Sequence, residues 1–141
     1  MRKGLTISLL CLGFCGIAQE RLQWSTLEKI DLTEVYDEGT ASWVQVPQWT
    51  TDQRENWDGK EMKITGYAIV LDPVDHIYAL SAFPFSSCFF CGAAGPESVM
   101  ELEFDRPVDL ITDQVITVIG TLDLNTSPDR LPITLVEAKL K

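Results

Sequence analysis

Apolar and polar positions alternate most cleanly between residues 60 and 141, and the alternation has the period of a β-strand. Over residues 60–71, Met62 and Ile64 fall on one face and Lys63 and Thr65 on the other. Past Gly66 both faces turn apolar, through Tyr67, Ala68, Ile69, Val70 and Leu71. A long strand with a glycine in its middle suits a sheet that bends to serve two sides of a small barrel. Asp72-Pro73-Val74-Asp75 reads as a turn, and residues 76–83 as a second strand paired with the first. Residues 98–104 form the clearest half-buried strand, with Met100, Leu102 and Phe104 facing one way and Val99, Glu101 and Glu103 the other. Arg106-Pro107 closes it. Residues 114–124 are a β-branched run with a second mid-strand glycine, Gly120. A turn-rich loop follows at 125–131, and 132–140 is the last strand.

Five strands bent by glycines, with no long amphipathic helix, predict an all-β (mainly β) domain over residues 60–141: a small five-stranded OB-like Greek-key barrel, with a β-sandwich as the competing architecture. Residues 19–59 read as an irregular extension packed on that barrel. The extension holds all four tryptophans, Trp24, Trp43, Trp49 and Trp57. Nothing groups them by period, so they are expected to cover the core and edges of the β domain rather than stack on a ligand. Ser25-Thr26-Leu27-Glu28 has the pattern of a capping box opening one short helical turn, and Val44-Gln45-Val46-Pro47 that of a short strand ended by proline.

The first 18 residues break from this pattern. Arg2 and Lys3 precede an uncharged, Leu- and Ile-rich run of about 15 residues, short of the ~20 that span a bilayer as a helix. Gly16-Ile17-Ala18 places small residues at the positions a signal peptidase reads before a cut at Gln19. Residues 1–18 are therefore expected to be a cleavable secretion signal, with a periplasmic or secreted product and no membrane span after cleavage. Cys11 and Cys15 follow Leu10 and Phe14 rather than a small residue, which argues against lipidation.

Removing Arg2 and Lys3 from the 11 basic residues leaves nine against 21 acidic ones, a net charge near −12. Such a field repels phosphate backbones and anionic lipid surfaces, and excludes nucleic-acid binding from the expected functions. It suits cations or basic partners.

One loop carries chemistry. Ser87-Cys88-Phe89-Phe90-Cys91-Gly92 contains the only two cysteines beyond the signal. A Cys-x-x-Cys turn lets both sulfurs reach one ion at about 2.3 Å, half of a tetrahedral zinc site. His76, the only histidine, and Glu97 are candidates to complete it, with Glu101, Asp72 and Asp75 as further carboxylates. A disulfide between Cys88 and Cys91 is the second reading, since paired cysteines persist in an oxidising compartment, although so small a loop gains little stability. Thiol–disulfide catalysis is the third. It wants cations or a helix N-terminus to lower a thiol pKa, yet no Lys or Arg occurs between Ile64 and Asp105. Phosphate-binding glycine loops, nucleophile elbows and His-Glu-x-x-His are absent, and no catalytic residue is assigned.

Trp24-Ser25-Thr26-Leu27, Pro47, the run from Asp58-Gly59-Lys60 to Gly66-Tyr67, the Cys88 loop and Val118-Ile119-Gly120-Thr121-Leu122 together resemble a bacterial group catalogued as domain of unknown function 3299. The resemblance covers nearly all of the chain after the signal. It implies a small exported, β-rich protein with a cysteine-bearing loop, and no established activity. Where that group has Cys-x-His, this chain has Cys88 and Phe90, with Cys91 next door and Glu97 in place of an Asn. A Cys/His loop replaced by a Cys/Cys loop fits an exchange of metal ligands. Two roles follow as expectations: an envelope accessory protein binding zinc through Cys88 and Cys91, or a non-catalytic module that docks an envelope partner through the tryptophan-rich segment or a sheet edge.

Overall fold

The computed structural model describes residues 20–27, 30–88, 95–127 and 130–141, with the backbone alone at Ser87 and Cys88. The expected secretion signal lies outside the described residues. Glu20–Arg21 (β1) runs parallel to a later strand at Met62 and Lys63. One helical turn, Trp24–Leu27 (α1), follows. Asp31–Asp37 (β2) and Ser42–Gln48 (β3) pair antiparallel in a two-stranded sheet of their own. Thr51–Trp57 forms a short helix (α2). The barrel strands are Glu61–Asp72 (β4), Ile77–Ser81 (β5), Val99–Phe104 (β6), Val115–Leu124 (β7) and Ile133–Leu140 (β8).

The sheet order β4-β5-β6-β8-β7 closes because β7 pairs back onto β4. Counted from β4, the order is 1-2-3-5-4-1, and the third and fifth strands, β6 and β8, are parallel. This is the expected five-stranded OB-like Greek-key barrel. The strand boundaries read from the alternation agree with those observed to within two residues. Inward positions fill the barrel: Met62 and Ile64 from β4, Leu80 from β5, Met100 from β6, Val118 and Leu122 from β7, Ile133 and Leu135 from β8. Each is at most 2% exposed.

Both mid-strand glycines are places where chains come too close for a side chain. β4 pairs with β7 through residues 61–67 and with β5 from Tyr67 onward, so the barrel's corner falls beside Gly66. A Cβ on Gly66 would lie 2.5 Å from the Ser81 carbonyl oxygen and 3.1 Å from the Trp24 ring. A Cβ on Gly120 would lie 2.8 Å from the Val136 carbonyl oxygen. Over Gly120, β8 holds one residue more than either neighbour: three residues of β8 span two of β6 and two of β7. Glu137 sits in that bulge in the left-handed region, at φ 52°.

Residues 20–59 are more regular than the sequence pattern implies. The stretch expected to be irregular holds the β2–β3 hairpin, because β2 carries Asp31, Glu34 and Asp37 at three-residue spacing, which breaks the period-two signal. A capping box does open a helix here, but at α2: Thr50 Oγ1 accepts from Gln53 N, and Thr50 N donates to Gln53 Oε1. Ser25 lies inside α1 instead. Three tryptophans cover the barrel. Trp24 packs over Gly66 and donates to the Thr65 carbonyl at 2.8 Å. Trp49 donates to the Asn125 carbonyl at 2.7 Å and meets Trp57 edge to face. Leu27, fully buried, joins the core. No helix among the described residues is long and apolar enough to cross a membrane.

Gly66→Ala and Gly120→Ala are each expected to cost about 1–3 kcal/mol, because the added methyl meets backbone that has nowhere to move. Glu137→Gly is expected to stabilise by ~0.5–1 kcal/mol, the relief of a left-handed residue less the entropy of glycine. Urea unfolding of the three variants beside the wild type checks all of them.

Candidate functional site

Of the residues assigned to a zinc site, His76 and Glu97 fall in different places. His76 ends the β4–β5 turn, exposed and at φ 55°. Its Nδ1 lies 3.1 Å from Tyr78 Oη, and that hydroxyl donates its single proton to the Val108 carbonyl at 2.7 Å. The hydroxyl therefore accepts from Nδ1–H, and Nε2 takes no part in this bond. In the same turn Asp72 Oδ1 accepts from Val74 N and Asp75 N. Backbone donation from Asp75 and Val74, with a smaller contribution from His76, holds the Asp72 carboxyl below its ordinary pKa. Glu97 lies in the 3₁₀ turn Pro96–Ser98, its carboxylate folded back over Gly95.

Ser81, at the far end of β5 from His76, pairs with Val99, two residues after Glu97. His76 and Glu97 thus stand at opposite ends of β5, roughly 15 Å apart at the usual rise of a strand, and belong to separate places. Cys88 ends a single helical turn, Phe85–Cys88 (α3); its side chain, and all of Cys91, lie outside the described residues. The start of α3 is tethered to the barrel, since Phe85 N donates to Asp113 Oδ1 at 2.6 Å and Asp113 N donates to the Ala68 carbonyl. Among the described residues no three His, Cys, Asp or Glu side chains converge as a metal site.

An OB-like barrel offers ligands the outer face of its second and third strands, here β5 and β6. Part of that face is filled by the chain's own groups. Arg130, from the β7–β8 loop, reaches Glu103 Oε1 at 2.5 Å, Glu101 Oε2 at 3.3 Å and Asp123 Oδ2 at 4.0 Å. It also donates to Thr134 Oγ1, which accepts from Asn125 Nδ2 as well. Partial burial works against the Arg130 charge, but Glu101 and Glu103 outweigh it and hold the guanidinium above its ordinary pKa. The β6 part of the face, with β7 and β8 beside it, carries an ion cluster with an acidic excess.

The β2–β3 hairpin is the contrasting surface. Its register is unbroken from Asp31 opposite Gln48 to Asp37 opposite Ser42. Tyr36 and Trp43 face each other across the strands, edge to face at 5.5 Å between ring centroids. Yet Trp43 is 68% exposed and Tyr36 49%. At the tip Asp37 accepts from Gly39 N, Thr40 N and Thr40 Oγ1. Sequence reasoning found Trp43 but not its isolation. The available signal was the Asp-Glu-Gly-Thr turn chemistry of residues 37–40 between two Val-bearing runs.

No family model matches the chain, and no curated protein or solved structure matches it significantly. The reading of the site therefore stands on the geometry above.

Hydrogen bonds from Thr40 and then Gly39 hold the Asp37 carboxyl below its ordinary value of 3.8. A carboxyl depressed in the fold supports the tip above its unfolded pKa, and that support is lost as pH falls through the lower folded value. The Gly39 and Thr40 amide resonances are expected to titrate together with a midpoint below 3.8, followed by NMR between neutral pH and pH 2.

Proposed function

We propose that this protein is an exported, non-catalytic interaction module of the cell envelope, in which an OB-like barrel carries the β2–β3 hairpin as its contact element. One observation carries the reading: Trp43 stands 68% exposed, its ring set against Tyr36 alone among the described residues, on a two-stranded sheet outside the barrel. An isolated two-stranded hairpin is marginal in water and gains stability from a third strand or a packed face. Exposed aromatic side chains of this kind are the residues that anchor protein interfaces. The other three tryptophans pack against the core and are not free to serve a partner in the same way. The acidic balance of the chain favours a basic partner over nucleic acid or an anionic membrane surface.

Trp43→Ser is expected to leave stability within about 0.5 kcal/mol of wild type, as for most exposed positions. Trp49→Ser is expected to cost about 3 kcal/mol, because it removes a ring packed on the core. Envelope extracts passed over the immobilised protein are expected to yield a retained partner that Trp43→Ser loses and Cys88→Ser keeps. Retention that depends on Cys88 but not on Trp43 would reverse the assignment.

A further inference from the structure

Resting on the hairpin as contact element, the structure also indicates how a partner is held and what kind of segment it presents. Neither outer edge of the hairpin is paired with another strand among the described residues. Pro47 fixes which groups face outward. Proline has no N–H, so its pairing opposite Leu32 rests on the bonds of the flanking residues. Because hydrogen-bonded and non-hydrogen-bonded pairs alternate along an antiparallel ladder, Thr33/Val46 and Val35/Val44 exchange the bonds inside the hairpin. The N–H and C=O groups of Leu32, Glu34 and Tyr36 then point away from β3, and those of Trp43 and Gln45, with the Pro47 carbonyl, point away from β2.

The two edges are therefore unequal. On β3 the outward row lacks a donor at Pro47, which is itself buried. On β2 the row is complete over three successive outward residues, open for a further strand. That edge also discriminates. Its carboxylates, Asp31, Glu34 and Asp37, are spaced symmetrically about Glu34, and no Lys or Arg occurs from Asp31 to Gln48. Antiparallel pairing of β2 with a second copy, centred on Glu34, would set Glu34 against Glu34 and Asp31 against Asp37, like charges directly opposed at every charged position.

We propose that β2 accepts, as a third strand of this sheet, an extended basic segment of another protein, with Lys or Arg at three-residue spacing to face Asp31, Glu34 and Asp37. Glu34 shares its face with Tyr36 and Trp43, because alternate residues of β2 and their partners on β3 lie on one side. A guanidinium placed opposite Glu34 thus meets a carboxylate and lies beside an exposed aromatic pair. Main-chain bonds to the β2 edge supply the pairing and the charges supply the choice of partner.

The test uses the mature protein and a capped nonapeptide with arginine at its second, fifth and eighth places and threonine or valine elsewhere, titrated by calorimetry and tryptophan fluorescence. Binding is expected to weaken with salt and to fall about tenfold in Glu34→Lys, an exposed position whose circular dichroism should be unchanged, with a smaller loss in Glu34→Gln. The same peptide N-methylated at the residues that would donate to β2 is expected not to bind. Equal binding of the methylated peptide, or none by the parent peptide, overturns the proposal. So does sedimentation showing that wild type dimerises through β2, which would make a second copy the occupant. If the Trp43-dependent retention persists while the peptide fails, strand addition falls and the hairpin remains the contact element; if both fail, the proposed function falls with it.

Discussion

Closure of the barrel at Gly66 is the constraint on which the other arrangements depend. β4 is twelve residues long because it serves two neighbours, β7 with its first half and β5 with its second. The changeover brings the Ser81 carbonyl against the Gly66 Cα and leaves a shallow place above it that Trp24 covers. Trp24 in turn fixes the N-terminal segment. β1 lies along β4 beneath it, Leu22 donates to the Lys63 carbonyl, and Leu27 enters the core. A side chain at position 66 would disturb the barrel corner and this strap together.

The barrel was legible because its strands are half-buried, so inward and outward positions separate by period two. Gly66 and Gly120 were legible as bends for the same reason: a residue without a side chain interrupts an otherwise β-branched run. Of the hairpin, β3 was legible in part as the short strand over residues 44–47, and β2 was not. Every residue of β2 but Leu32 and Asp37 is exposed, so no core imposes alternation there, and its carboxylates fall on alternating faces at three-residue steps. The helical turn expected near Ser25 is there as α1, which begins one residue earlier, at Trp24; the capping box that opens α2, Thr50 with Gln53, was also present in the sequence. Of the candidate ligands, His76 and Glu97 lie at opposite ends of β5. Their separation is a property of pairing register, which only the assembled sheet reveals.

The tryptophans separate two demands on one segment. Trp24, Trp49 and Trp57 spend their rings on the barrel, and the first two their indole N–H groups on backbone carbonyls. Trp43 does neither, and it lies on the element with the fewest ties to the core. The Arg130 cluster makes the complementary point. Part of the surface that OB-like barrels offer to ligands, Glu101 and Glu103 on β6, is here engaged by the chain's own Arg130. No side chain of β2 or β3 belongs to the core cluster, so docking on the hairpin would leave the packing of the core unchanged.

The position of β8 has a consequence for the order in which the fold can form. It is the last of these strands in the chain, yet it is inserted between β6 and β7 and is parallel to β6. Until residues 133–140 are available, β6 and β7 each keep a bare edge and the barrel cannot close. Its contacts with β6 bridge about thirty residues of chain, the sort of non-local pairing that slows folding. A growing chain would therefore keep the barrel open until residues 133–140 were present, a state in which unpaired edges need protection from one another.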